Sequence, residues 1–191
     1  MLFAATLIPV DAQEAFIIDD LHVSMEVHED GGIDITETYV LNFTEAKHGF
    51  FRNIPTSYDY GVVCGWKAGK EELLFPVSEV TCNRTCSLEG NADAVVVKLG
   101  DPDKTVYGEQ KYEISYHVKT KDLDLSNHAQ ALYWNLAYGF DTQIRHLSYD
   151  IKMPKAFDEN AVFTYSGAFG ETTTNLTHEV DQLHIKGETG R

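Results

Sequence analysis

The chain of 191 residues carries 30 acidic and 15 basic side chains, a formal charge of −15, and 43% of it is apolar. That balance argues against nucleic acid, whose phosphates need a basic footprint, and against electrostatic docking on anionic lipid. The apolar content, with 10 Phe, 10 Tyr and 2 Trp, excludes a disordered chain, and no run of about 18 apolar residues is present to span a bilayer.

The segment Leu2–Val10 is apolar and leads into Val10-Asp11-Ala12. It reads as the end of a secretory signal with a small-residue cleavage site, which places the mature start near Gln13. Residues 1–12 are therefore expected to be a signal-peptide remnant or flexible N-terminus, and residues 13–191 a single domain. The competing reading of Leu2–Val10 is a first strand broken at Pro9. Ten acids precede Lys47, the first base. They read as a solvated sheet face, with a site for calcium or a basic partner as the alternative.

Leu21, Val23, Met25 and Val27 alternate with His22, Ser24, Glu26 and His28, the two-residue period of a half-buried strand. Asp30-Gly31-Gly32 is a hairpin turn, because glycine supplies positive φ. The return strand puts Ile33, Ile35, Tyr39, Leu41 and Phe43 in one phase. Glu37 falls in that same apolar phase. A carboxylate there is costly unless it is paired and hydrogen-bonded. The nearest suitable base is Arg52, whose guanidinium can grip a carboxylate with two bonds. A Glu37–Arg52 ion pair is expected to pin the loop after the hairpin onto the sheet.

An irregular excursion is expected from His48 to Leu73. Further strands are predicted at Val95–Leu99, Tyr112–Val118 and Leu147–Met153, the last ended by Pro154. Weaker candidates are Leu73–Val80, Val162–Tyr165 and Thr177–Ile185. Ala129–Leu136 reads as a helical turn or a strand. No long window has a helical period with caps. The fold class is therefore mainly β: an antiparallel β-sandwich, immunoglobulin-like or jelly-roll-like, with little helix.

Cys82 and Cys86 would lie about 13 Å apart in an extended strand, too far to bond. Across a turn they can close a small disulfide ring, which a secreted chain favours. Zinc is disfavoured for want of a second ligand pair, and Cys64 reads as a buried small residue. Asn42, Asn83 and Asn175 begin glycosylation sequons, which matter only in a eukaryotic secretory pathway.

Four features stand in a recognisable order: Asp30-Gly31-Gly32 with Ile35-Thr36-Glu37; His48-Gly49-Phe50-Phe51-Arg52-Asn53-Ile54-Pro55; Leu99-Gly100-Asp101 through Gly108 to Tyr112-Glu113-Ile114-Ser115-Tyr116; and Leu132-Tyr133-Trp134-Asn135. Over about residues 16–155 the chain resembles the N-terminal domain of the YciQ-like bacterial predicted membrane protein family, whose function is unknown. The resemblance implies an extracytoplasmic β-rich domain, membrane-anchored in the full-length protein. It carries over no catalytic residues.

Signatures of chemistry are sparse. Asp101 and Asp103 stand in a partial calcium loop that lacks the central glycine and the later glutamate, so a side-chain-capped turn is the preferred reading and no cofactor is expected. Sequences for a serine nucleophile elbow, a zinc-binding helix and a phosphate loop are lacking; Gly65–Lys70 is too short for the last. His22 and His28 share a strand face but would stand about 20 Å apart.

Three functions follow. The first is a non-catalytic extracytoplasmic module that binds an unknown protein or glycan partner in the cell envelope. The second is a carbohydrate-binding domain in which Trp134, Tyr133, Asn135 and Arg52 are the candidate binding residues. The third is a hydrolase with a carboxylate pair. Burial of Trp134 separates the first from the second.

Overall fold

The structure, a computed structural model, describes residues 15–59, 72–90, 93–119, 132, 134–140, 142–164 and 176–189. Cys64, Tyr133, Asn175, the Gly65–Lys70 segment and the expected signal segment lie outside them.

Two-residue alternation becomes a pair of facing sheets. Strand β1 (Phe16–Val27) turns into β2 (Gly32–Lys47) and pairs with it antiparallel, from Phe16 opposite Phe43 to Val27 opposite Ile33. The turn closes as its composition dictates. Gly31 has φ +80, and Asp30 Oδ1 accepts the Gly32 N–H at 3.1 Å. The other edge of β2 pairs antiparallel with β9 (Val106–Lys119). Strand β6 (Val77–Cys82) then pairs with β9 and ends that side.

Beyond β1 lies β10 (Leu147–Lys152), which runs parallel to it, with Leu21 opposite Leu147 and Met25 opposite Ile151. The hairpin of β11 (Leu176–Asp181) and β12 (His184–Thr189) completes a seven-stranded sheet in the order β11-β12-β10-β1-β2-β9-β6. The sheet is thus mixed where an antiparallel one was expected. A parallel pair needs a long crossover, here the segment between β9 and β10, and side-chain alternation carries no information on strand direction.

The second sheet has three strands in the order β3-β8-β7, formed by Gly49–Pro55, Ala94–Gly100 and Cys86–Gly90. A short ladder joins β4 (Ser57–Asp59) to β5 (Glu72–Leu74). The core fills the space between the two sheets. Leu21, Val23, Ile35, Leu41, Ile114 and Val118 come from the larger sheet; Phe50, Ile54, Val97 and Leu99 come from the smaller one. Phe50 bridges them, its ring centroid 5.2 Å from Tyr39 and 5.1 Å from Tyr112, both edge-on. Each such aromatic pair contributes about 0.5–1.5 kcal/mol beyond area burial.

Four expectations are corrected. Residues 49–59 form β3 and β4 rather than an irregular excursion. Leu73–Val80 is interrupted at Phe75-Pro76 into β5 and β6, because proline lacks the N–H that a ladder needs. Thr177–Ile185 is two strands, turning at Gln182, whose φ is +52. Val162–Tyr165 yields no strand in its described part, which follows a short 3-10 turn at Glu159–Ala161. In the Ala129–Leu136 segment the described residues are irregular, with a turn starting at Leu136.

Candidate functional site

Polar chemistry gathers in three places: inside the sandwich, on its rim, and on the solvent face of the larger sheet. Inside, Glu37 on β2 faces Arg52 on β3, and each residue is 1% exposed. Arg52 Nη2 donates to Glu37 Oε1 at 2.7 Å and Nε donates to Oε2 at 2.8 Å, the fork-on-carboxylate geometry. Tyr116 OH donates to Oε1 at 2.8 Å, and Tyr39 OH donates to Oε2. Arg52 Nη1 donates to the carbonyls of Asn53 and Tyr138, both at 2.6 Å. The Phe140 ring lies 4.8 Å from the guanidinium carbon.

Burial alone would push the Glu37 carboxyl up. The Arg52 charge and the bonds from Arg52, Tyr39 and Tyr116 outweigh it, so its pKa falls below the usual carboxylate value. Burial, followed by the Glu37 charge, raises both phenols well above theirs. The cluster is therefore carboxylate, guanidinium and two neutral phenols. Among the described residues the carboxylate takes four donors and Arg52 Nη1 takes two carbonyls, so the arrangement joins the two sheets from within the core. Arg52, expected also as a binding residue, is buried in this cluster. Sequence reading missed Tyr39 and Tyr116. Tyr39 shares Glu37's phase two residues on. Tyr116 stands opposite Ile35, the diagonal neighbour that a known register would have revealed.

Trp134 is half-buried at the fringe of the core. Its ring meets Phe75 edge-on at 5.8 Å. Asn135 beside it is also half-buried. Cys82 and Cys86 are bonded, with their Cα atoms 6.4 Å apart, and the bridge ties β6 of one sheet to β7 of the other. In the partial calcium loop, Asp101 Oδ1 accepts the Asp103 N–H at 2.9 Å, and Oδ2 lies 3.1 Å from Lys104 Nζ.

On the rim, a cavity of about 170 Å³ opens where β2 passes into β3. His48, Arg84, Thr85, Asp101, Lys104 and the Tyr112 ring line it. Arg84 and Thr85 sit on the turn that the disulfide closes. That turn is held by Asn83 Oδ1, which accepts the Glu113 N–H at 3.0 Å, and by Gly100 N–H, which donates to the Thr85 carbonyl at 2.9 Å. The Arg84 guanidinium lies 4.8 Å over the Tyr112 ring, and its Nη1 donates to Gln110 at 3.0 Å. His48 Nδ1 donates to the Lys104 carbonyl at 3.1 Å.

Two glycines make this corner possible. Gly49 and Gly100 stand opposite each other at φ +134 and +144. A Cβ on Gly49 would lie 1.8 Å from the Leu99 carbonyl oxygen, and one on Gly100 would lie 1.8 Å from that of His48. The backbones cross where no side chain fits.

The solvent face of the larger sheet sets histidines on carboxylates. Asp34 takes His28 at 2.8 Å and His117 at 2.7 Å. His146 contacts Asp20 and Glu188, and His184 contacts Asp150. Among the described residues no group of three or more His, Cys, Asp or Glu is placed to hold a metal ion, and no helix is long and apolar enough to cross a membrane.

The family described as the predicted membrane protein (DUF2207) N-terminal domain matches residues 17–186. No curated protein matches the chain. Among solved structures, a mutant M1 zinc metallopeptidase from Deinococcus radiodurans with a bound substrate is similar at TM-score 0.40 and 10% identity, over 93% of this chain and 39% of that one. Yeast LTA4 hydrolase in complex with bestatin is similar at TM-score 0.46 and 12% identity, over 93% of this chain and 27% of that one. The chain thus spans well under half of either structure, and at these TM-scores neither likeness carries an argument about its activity.

Proposed function

This chain belongs to the family of predicted membrane proteins whose N-terminal domain it matches, and on that premise we propose that it is a non-catalytic extracytoplasmic module that binds a partner in the cell envelope. The observation that carries the reading is the sealed Glu37–Arg52 cluster. The strongest assembly of acid, base and hydroxyl groups among the described residues is buried, saturated and spent on joining the sheets. The Cys82–Cys86 bridge supports the location, because such bonds persist in oxidising compartments. The rim cavity and the exposed Phe51, Tyr107 and Phe163 offer surface to a partner.

The test uses the full-length protein in intact cells, with Cys64 and any cysteine outside these 191 residues replaced by serine. A membrane-impermeant maleimide should label Cys82 and Cys86 only after a membrane-impermeant reductant has been added. Labelling without reductant, or only after the cells are permeabilised, contradicts the proposed location.

A further inference from the structure

We propose that the rim pocket formed by His48, Arg84, Lys104 and Tyr112 binds a compact oxyanion, the carboxylate or phosphate head group of its ligand. The proposal deepens the binding-module reading and rests on it.

Three arginines lie among the described residues. Arg52 grips Glu37, and Arg145 lies 2.5 Å from Asp19. Arg84 instead lies over an aromatic ring and spends one bond on the neutral amide of Gln110. In a chain with 30 acids and 15 bases, Arg84 makes no ion pair with a described carboxylate, and its partners are the Tyr112 ring and Gln110. A guanidinium held over a ring, with one bond to Gln110, retains further N–H donors for an oxygen-bearing ligand. Lys104 and His48 stand on the same cavity. Its one lining carboxylate, Asp101, is already committed to the Asp103 N–H and the Lys104 ammonium. The pocket thus carries one net positive charge, Arg84 and Lys104 against Asp101, with the His48 ring beside them.

The protein's net charge repels anions, so capture of one requires such a local reversal of potential. Size narrows the ligand further. The cavity of about 170 Å³ lies below the roughly 300–1,000 Å³ of sites that enclose a whole drug-sized molecule. It suits a head group whose remainder stays outside. The backbone beneath the walls is braced before binding: the disulfide closes the Arg84 turn, the Gly49–Gly100 crossing sets the backbone at His48, and the Asp101 side chain caps the turn that carries Lys104. Preorganisation of this kind lowers the entropy lost when a ligand is held.

The experiment is an NMR titration of the isotope-labelled 191-residue chain at constant ionic strength, with inorganic phosphate, D-glucuronate and uncharged D-glucose as probes. Phosphate or glucuronate should give saturable shifts at the Arg84 Nε–H and at the Thr85, Gly100 and Lys104 amides. Whichever probe saturates first identifies the head group. Arg84→Gln should weaken that binding about tenfold or more, and Lys104→Gln by a smaller factor, while the urea midpoint should shift only slightly because both side chains are exposed and lose only surface contacts. The proposal is overturned if neither anion saturates by about 50 mM, if glucose moves the same amides as strongly, or if Arg84→Gln binds like the parent. None of these outcomes touches the thiol-labelling result, so loss of the pocket and loss of the extracytoplasmic reading are distinguishable.

Discussion

Replacing Glu37 by glutamine tests the clasp between the sheets with the smallest change of shape. The carboxylate takes four bonds, two from Arg52 and one each from Tyr39 and Tyr116. Glutamine keeps one acceptor oxygen and turns the other into a donor that faces donors. The Arg52 charge then stays buried without a counter-charge, since its other contacts are the carbonyls of Asn53 and Tyr138 and the Phe140 ring. Removing one partner of a buried pair costs about 3–5 kcal/mol. For a domain of this size that is about 6–20 °C in Tm, at about 2–4 °C per kcal/mol. Urea unfolding at pH 7 gives the free-energy difference by linear extrapolation. With Arg52→Met added, the double variant should lose clearly less than the sum of the two single losses, because no unpaired charge remains. A loss below about 1 kcal/mol for Glu37→Gln, or strict additivity in the cycle, refutes the clasp.

Other outcomes follow from the same geometry. The Glu37 carboxyl is held below its ordinary pKa, so its contribution is complete above the unfolded value, about 4.3, and is lost as pH falls through the folded value; the fall in urea midpoint between pH 5 and pH 2 should be smaller in Glu37→Gln than in the parent. Gly49→Ala and Gly100→Ala, which force a Cβ to 1.8 Å from a carbonyl oxygen, should each cost more than about 3 kcal/mol. Gly108→Ala at φ +68 meets nothing within 4 Å and should cost only about 1–2 kcal/mol in the same urea assay. Replacing both Cys82 and Cys86 by serine opens a ring of four-residue separation and should cost about 2 kcal/mol, with a larger loss of oxyanion affinity than Lys104→Gln because the Arg84 turn loosens.

What the sequence revealed and concealed has physical causes. The β1–β2 hairpin was legible because a half-buried strand must alternate and Asp30-Gly31-Gly32 must turn. Glu37 was legible because it stood out of phase, and its charge required a partner nearby. That same partner concealed β3. Phe50, Arg52 and Ile54 point inward in alternation with Phe51 and Asn53, but a guanidinium in the inward phase breaks the apolar period. The β11–β12 turn was hidden because Gln182 takes positive φ where glycine would have announced it. The parallel β1–β10 pairing was invisible because side-chain period carries no direction. The rim pocket draws on residues 48, 84–85, 100–106 and 112, four segments joined only by the fold, so no spacing could have shown it.

A sealed Glu37–Arg52 cluster admits no solvent while the protein stays folded. Hydrogen exchange at the Arg52 Nε–H measures this directly, because the proton is protected by its bond to Glu37 and by the packing around it. Exchange should require global unfolding, with an opening free energy equal to that from urea and to that of the slowest β2 amides. Exchange orders of magnitude faster than those amides would mean that the cluster opens to solvent in the folded protein, and that the residues assigned here to architecture are within reach of a ligand.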